Sequence, residues 1–221
     1  MVLGVVSERQ SREAEVGREV GEAWGRPQLV AGPVVAVPFV RTERASNGVM
    51  QSVRKVLYIL PKDLNINSDI KPELRSRGIF SAPVYRADLL MSGSFVLPDL
   101  SELGISPSSL LWGEAVVLVG LSDTRSITLE SAMWNNAPIV FAPGATLWSI
   151  NGMGIHAPLR IATGARSFVG QGEQKFDFKI SVAGSKGISY LPLGDTTSVT
   201  AVAPWDSPSF VGAYLPASEN L

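Results

Sequence analysis

The chain has 221 residues, 45% of them apolar and 18% charged, so it can bury a core of domain size and is too oily and too weakly charged to stay disordered. Its 19 basic and 20 acidic residues leave a net charge of −1, which withholds the basic footprint of a nucleic-acid or anionic-membrane-surface binder. The absence of cysteine excludes disulfides, thiolate metal sites and cysteine nucleophiles, although it does not by itself fix the compartment.

The apolar stub at residues 1–6 is followed at once by Ser7-Glu8-Arg9 and is too short for a signal peptide or a membrane span. It reads either as the start of a soluble chain or as the tail of a trimmed spanning helix. Residues 7–24 then predict a helix, with Val16, Val20, Ala23 and Trp24 at helical spacing, Gly25 as a stop signal and Pro27 just beyond. Such a helix suits a cap on a sheet or a stalk.

After Pro27 the pattern turns to strands. Gly32-Pro33 marks a turn, and Val34 to Val40 is a β-branched run in which Pro38 predicts an edge position or a bulge. Ser46-Asn47-Gly48 is a turn signal, and a strand over 52–60 closes at Pro61. The polar stretch 63–76 is expected to lie between strands and is the weakest point of the chain. Over 84–95, Val84, Leu89, Met91 and Phe95 interleave with Arg86, Asp88, Ser92 and Ser94, as in a strand with one wet face. Residues 115–121 form a continuous apolar run, read as a buried strand. Further strands are predicted over 139–142, 159–162, 176–183, 188–192 and 198–203, punctuated by many of the 21 Gly and 15 Pro. The expectation is a mainly β protein: a large antiparallel β-sandwich or β-roll with one N-terminal helix.

A search for chemistry returns little. His156 is the one histidine, so a zinc site would need several converging carboxylates and a Ser-His-Asp triad would have to use this side chain. The glycine-rich stretches 164–172 and 184–187 lack the phosphate-loop pattern and lead into strands, so they read as hairpin turns. Asp123 and Arg125 stand two apart at the end of a predicted strand, as an ion pair that satisfies a turn or as the polar contact for a ligand. Trp205, Pro208 and Phe210 make a compact aromatic cluster, either a recognition surface or a core plug, and Trp112, Trp134 and Trp148 fall in loop-like contexts. No catalytic, cofactor-binding or metal-ligating set is assigned.

A series of short segments, in order along nearly the whole chain, resembles the CreD family of inner-membrane proteins. They include Ser7-Glu8-Arg9, Trp24-Gly25-Arg26-Pro27-Gln28, Gly32-Pro33-Val34-Val35-Ala36-Val37-Pro38, Tyr58-Ile59-Leu60-Pro61, and Arg77-Gly78-Ile79-Phe80 with Val84-Tyr85-Arg86-Ala87. Gly93-Ser94-Phe95, Ser122-Asp123-Thr124-Arg125-Ser126-Ile127, Phe141-Ala142-Pro143-Gly144, Gly154-Ile155-His156-Ala157, Pro192-Leu193-Gly194-Asp195-Thr196-Thr197 and the segment from Trp205 to Pro216 complete the series. The resemblance implies residues 1–26 as a helix continuing from a trimmed transmembrane segment, and 27–221 as a periplasmic β domain lacking the C-terminal part of the family's domain, which would leave a sheet edge unpaired. It further implies a location at the bacterial inner membrane, a role in envelope integrity under Cre two-component control with a link to colicin tolerance, and no catalysis or cofactor. An envelope protein or lipid is the implied partner, nucleic acid is not, and self-association is left open. The competing readings are a lipid- or small-ligand-binding β module and a hydrolase built on His156.

Overall fold

A strand with apolar residues at alternate positions buries one face only, so each such strand needs an opposing layer. The computed structural model supplies two. It describes residues 25–145 apart from Asn47, 153–159, 172–205, 209, 211 and 212, with scattered positions between Glu8 and Trp24. The described positions from Glu8 to Trp24 have helical backbone, and the Gly25 amide donates to the Gly21 carbonyl at 2.9 Å. The expected helix over 7–24 otherwise falls outside the described residues and is not an established element. Among the described residues, no helix is long and apolar enough to cross a membrane.

The strands, in chain order, are β1 (Gln28–Arg44), β2 (Met50–Ile59), β3 (Asp63–Arg77), β4 (Phe80–Phe95), β5 (Val116–Leu121) and β6 (Thr128–Trp134). They continue with β7 (Ala137–Pro138), β8 (Ala142–Pro143), β9 (Ile155–Pro158), β10 (Gln174–Ser185), β11 (Ile188–Leu191) and β12 (Thr196–Val202). Among the described residues they make two six-stranded sheets, one ordered β11-β1-β5-β9-β8 with β2 also on β1, the other β12-β3-β4-β10-β6-β7. One apolar cluster draws residues from both: Val35, Val37 and Val117 from the first sheet, Leu64, Leu89, Met91, Phe178 and Ile180 from the second. The mainly β sandwich of the sequence reading is therefore present. Most ladders are antiparallel, but β1–β11 and β3–β12 are parallel.

Four local expectations are corrected. Residues 63–76 are not an interstrand stretch but most of β3, paired with β4 along its whole length. Polar composition hid a period of two: Leu64, Ile66 and Ser68 are buried while Asn65, Asn67 and Asp69 face water. Pro38 neither ends β1 nor puts it at an edge. Its carbonyl accepts the Leu111 amide at 2.8 Å on the side where the β5 ladder has already ended at Ala36, so the missing proline N–H is not demanded there. The irregularity falls instead between Ala31 and Val34, at a cis Gly32–Pro33 bond. The run 139–142 is a crossing, from β7 in one sheet to β8 in the other, and Ile139 and Phe141 pack on the core. The strand placed at 159–162 comes earlier, at Ile155–Pro158, and residues 160–162 lie outside the described residues. Strand β6 had no counterpart in the sequence reading.

Aromatic rings fill much of the space between the sheets. Phe95 lies 5.5 Å from Trp134 and 5.3 Å from Phe176, Phe176 lies 5.2 Å from Phe178, and Phe141 meets Phe178 edge-on at 5.1 Å. The backbone also fixes where the chain enters and leaves. β1 starts beside the C-terminal end of β10, and β12, parallel to β3, runs toward that same end. Phe178→Ala is expected to cost about 3–5 kcal/mol of unfolding free energy in a urea titration, whereas Ile79→Ala, at the exposed β3–β4 turn, stays within about 0.5 kcal/mol.

Candidate functional site

The largest concentration of buried polar groups lies where β1 begins. Gln28 is 1% exposed, so its amide must use every donor and acceptor it has. Its Nε2 donates to the carbonyls of Asp123 and Ala183, both at 3.0 Å, and its Oε1 accepts the Asp123 amide at 3.2 Å. Asp123 follows β5 in one sheet and Ala183 lies on β10 in the other, so a single side chain fastens the two layers. Ser122 Oγ donates to the Pro27 carbonyl at 2.7 Å and accepts the Leu29 amide at 2.9 Å. Ser126 Oγ donates to the Ala183 carbonyl at 3.1 Å and accepts the Ala183 amide at 3.2 Å.

Asp123 completes this joint. Its side chain is 4% exposed and its carboxylate accepts the Arg26 amide at 3.1 Å, the Arg125 amide at 3.1 Å, and the Arg125 Nε and Nη2 at 2.9 and 2.6 Å. This fork holds the carboxyl far below the usual carboxylate range. The Arg125 hydrogen bond is the main cause; desolvation opposes it, and the two backbone amides add to it. The structure thus brings the predicted pair Asp123 and Arg125 together, and spends Asp123 on cohesion.

The segment before β1 passes close over β10. A Cβ on Gly25 would lie 2.6 Å from the Ala183 carbonyl oxygen, and one on Gly184 would lie 2.3 Å from the Tyr85 hydroxyl, so neither position admits a side chain. Tyr85 donates to the Gly187 carbonyl at 2.8 Å, and burial pushes its phenol well above the ordinary range. Trp24 Nε1 donates to the Tyr85 carbonyl at 3.3 Å, and the guanidinium carbons of Arg75 and Arg86 stand 4.1 and 4.9 Å from the centre of its ring.

The other candidates do not converge on this place. Trp205 is 42% exposed just past β12, while Trp148, Pro208 and Phe210 lie outside the described residues. Trp112 and Trp134, read as loop aromatics, are buried core residues, the first in a short 3-10 turn and the second on β6. His156 sits on β9 between β5 and β8, its Nδ1 held by the Gly144 carbonyl. Among the described residues, no group of three or more His, Asp or Glu side chains is arranged to hold a metal ion. A hollow of about 290 Å³ on the second sheet is lined by residues including Gly93, Met133, Lys175 and Asp177, and its lining brings no imidazole to a carboxylate. Sequence reasoning missed Gln28, Tyr85, Ser122 and Ser126 as members of the joint. The available signal was a glutamine opening an otherwise apolar strand.

The fold and the joint define a β-sandwich domain in which Gln28, the most buried polar side chain among the described residues, holds the two sheets together. The chain belongs to the CreD family: the sequence profile described as inner membrane protein CreD matches residues 1–221. Inner membrane protein CreD of Escherichia coli strain K12 is 25% identical over 225 residues, an alignment that covers 100% of this chain and 48% of that protein. The chain therefore spans about half the length of the curated relative it matches. No solved structure matches it.

Gln28→Ala should lower unfolding free energy by about 2–3 kcal/mol, because it strands buried partners in both sheets. Asp123→Asn should cost about 1–3 kcal/mol at pH 7. A carboxyl whose folded pKa is depressed stabilises above its unfolded pKa, about 3.9, and loses that contribution as pH falls toward its folded value. Urea titrations from pH 7 to pH 2 should therefore show the gap between the native chain and Asp123→Asn closing below about pH 4.

Proposed function

We propose that this chain is the periplasmic part of an inner-membrane protein, a non-catalytic domain that supports cell-envelope integrity through contact with other envelope components. Membership of the CreD family along residues 1–221 carries the reading. The joint at the start of β1 is consistent with a structural use of its charge: Asp123 is committed to Arg125 and two main-chain amides. Control by the Cre two-component system and a link to colicin tolerance follow from the family resemblance and belong to the same proposal. The alternative, a lipid- or small-ligand-binding β module, has less support, because aromatic rings occupy the interlayer space where an acyl chain would lie.

Two measurements on the full-length protein in cells test the proposal. A single cysteine at Ser46, in the exposed β1–β2 turn, is expected to react with a membrane-impermeant maleimide before lysis; labelling only after lysis overturns the periplasmic orientation. In a strain deleted for the gene, the native protein and His156→Ala are expected to restore resistance to detergent and dye entry equally. Loss of rescue by a normally accumulating His156→Ala would instead point to chemistry at the imidazole.

A further inference from the structure

A sheet ends in strands whose outward main-chain groups lack a partner, and a bare edge recruits another strand. Several edges of this sandwich carry a safeguard. β7 and β8 are two residues long. β11 has only four residues. β2 is longer but carries Arg54 and Lys55, ion-paired to Glu114 and Glu43. β12 has none of these. Its seven residues, Thr196-Thr197-Ser198-Val199-Thr200-Ala201-Val202, include no charge and no proline, and six of them are exposed.

Among the described residues β12 pairs on one side only, parallel to β3, from Thr196 opposite Asp63 to Val202 opposite Asp69. The Thr196 amide donates to the Lys62 carbonyl at 3.0 Å, which sets the phase of the ladder. Thr196, Ser198, Thr200 and Val202 therefore turn their main-chain groups toward β3, and Thr197, Val199 and Ala201 turn theirs outward. The outward set is symmetric about Val199.

We propose that this edge is a self-association site, at which β12 of a second copy pairs antiparallel about a two-fold axis through Val199. In that register Val199 stands opposite its own copy and Thr197 opposite Ala201 of the second copy. Every outward N–H and C=O of the three residues then gains a partner. No like charges are brought side by side, whereas the same operation on β2 would set Arg54 and Lys55 close to their own copies. The 41% exposed Val199 side chain packs against its equivalent, and the two second sheets become one continuous sheet. The contact is isologous and closed, so it stops at a dimer. The proposal stands apart from the compartment in which the domain works.

The chain has no cysteine, so Val199→Cys places a single thiol in each copy. Across a hydrogen-bonded antiparallel pair the two Cα atoms are about 5.5 Å apart, within disulfide range. Mild oxidation of the 221-residue chain carrying Val199→Cys is expected to give a covalent dimer, and Ile79→Cys, which is 83% exposed elsewhere, is expected not to. Sedimentation equilibrium of the native chain is expected to show a concentration-dependent dimer. Val199→Lys and Val199→Pro should weaken it at least about tenfold with an unchanged circular dichroism spectrum, since the Val199 N–H faces away from β3. A native chain that stays monomeric at all concentrations, or a dimer that survives both substitutions, overturns the proposal. A monomer whose Thr197, Val199 and Ala201 amides resist hydrogen exchange also overturns it, and assigns the edge to a strand from elsewhere.

Discussion

A primary amide shut between two sheets is tolerable only when its hydrogen-bonding capacity is met, and meeting it at Gln28 dictates how the layers sit. The side chain reaches the carbonyls of Asp123 and Ala183 from the first residue of β1, so the start of one sheet, the end of β5 and the end of β10 must converge. Burial of apolar area is non-directional, so it does not by itself single out one polar anchor point between the layers. The Gln28 bond to Ala183 supplies a fixed point between the layers, while Ser122 and Ser126 secure the segment that crosses from β5 to β6. Asp123 is held in turn by the Arg125 fork, so an ion pair near the surface steadies the main chain that the amide reads.

Much of the layered architecture was legible because strands buried on one face advertise a period of two. β4 and β10 were read nearly to their ends, since Leu89, Met91 and Phe95, and Phe176, Phe178 and Ile180, alternate with polar neighbours. β3 was not, because a strand whose wet face is rich in Asn, Asp and Lys resembles a loop in composition even when Leu64 and Ile66 keep the alternation. β6 escaped for a related reason: Thr128, Glu130 and Ser131 are exposed and only Ala132 and Trp134 are buried. Pro38 misled because the rule against proline in a ladder applies to the side its nitrogen faces, and which side that is emerges only from pairing.

Of the site, the pair Asp123 and Arg125 was visible as two opposite charges at a strand end, and its structural use was one of the two readings left open. The glutamine that makes the pair matter was not, since nothing in a linear sequence says that Gln28 and Ala183 meet across 155 positions. The same logic covers Tyr85 and Gly184, whose contact depends on a hydroxyl filling the space that a missing Cβ leaves. In a protein of the CreD family this places the most constrained polar chemistry at the junction between the entering segment and the sandwich, where Trp24 is also bracketed by Arg75 and Arg86.

The entry to β1 and the exit from β12 lie at one end but in different sheets, and the consequence is mechanical. A displacement that moves the two sheets apart at that end opens the layers like the jaws of a clothes peg. The Gln28 amide sits at the mouth of those jaws, hydrogen-bonded to the Asp123 main chain on one side and to the Ala183 carbonyl on the other. Separating the layers at this end therefore breaks the Gln28 bonds, which lie far from the β1–β2 turn at the opposite end.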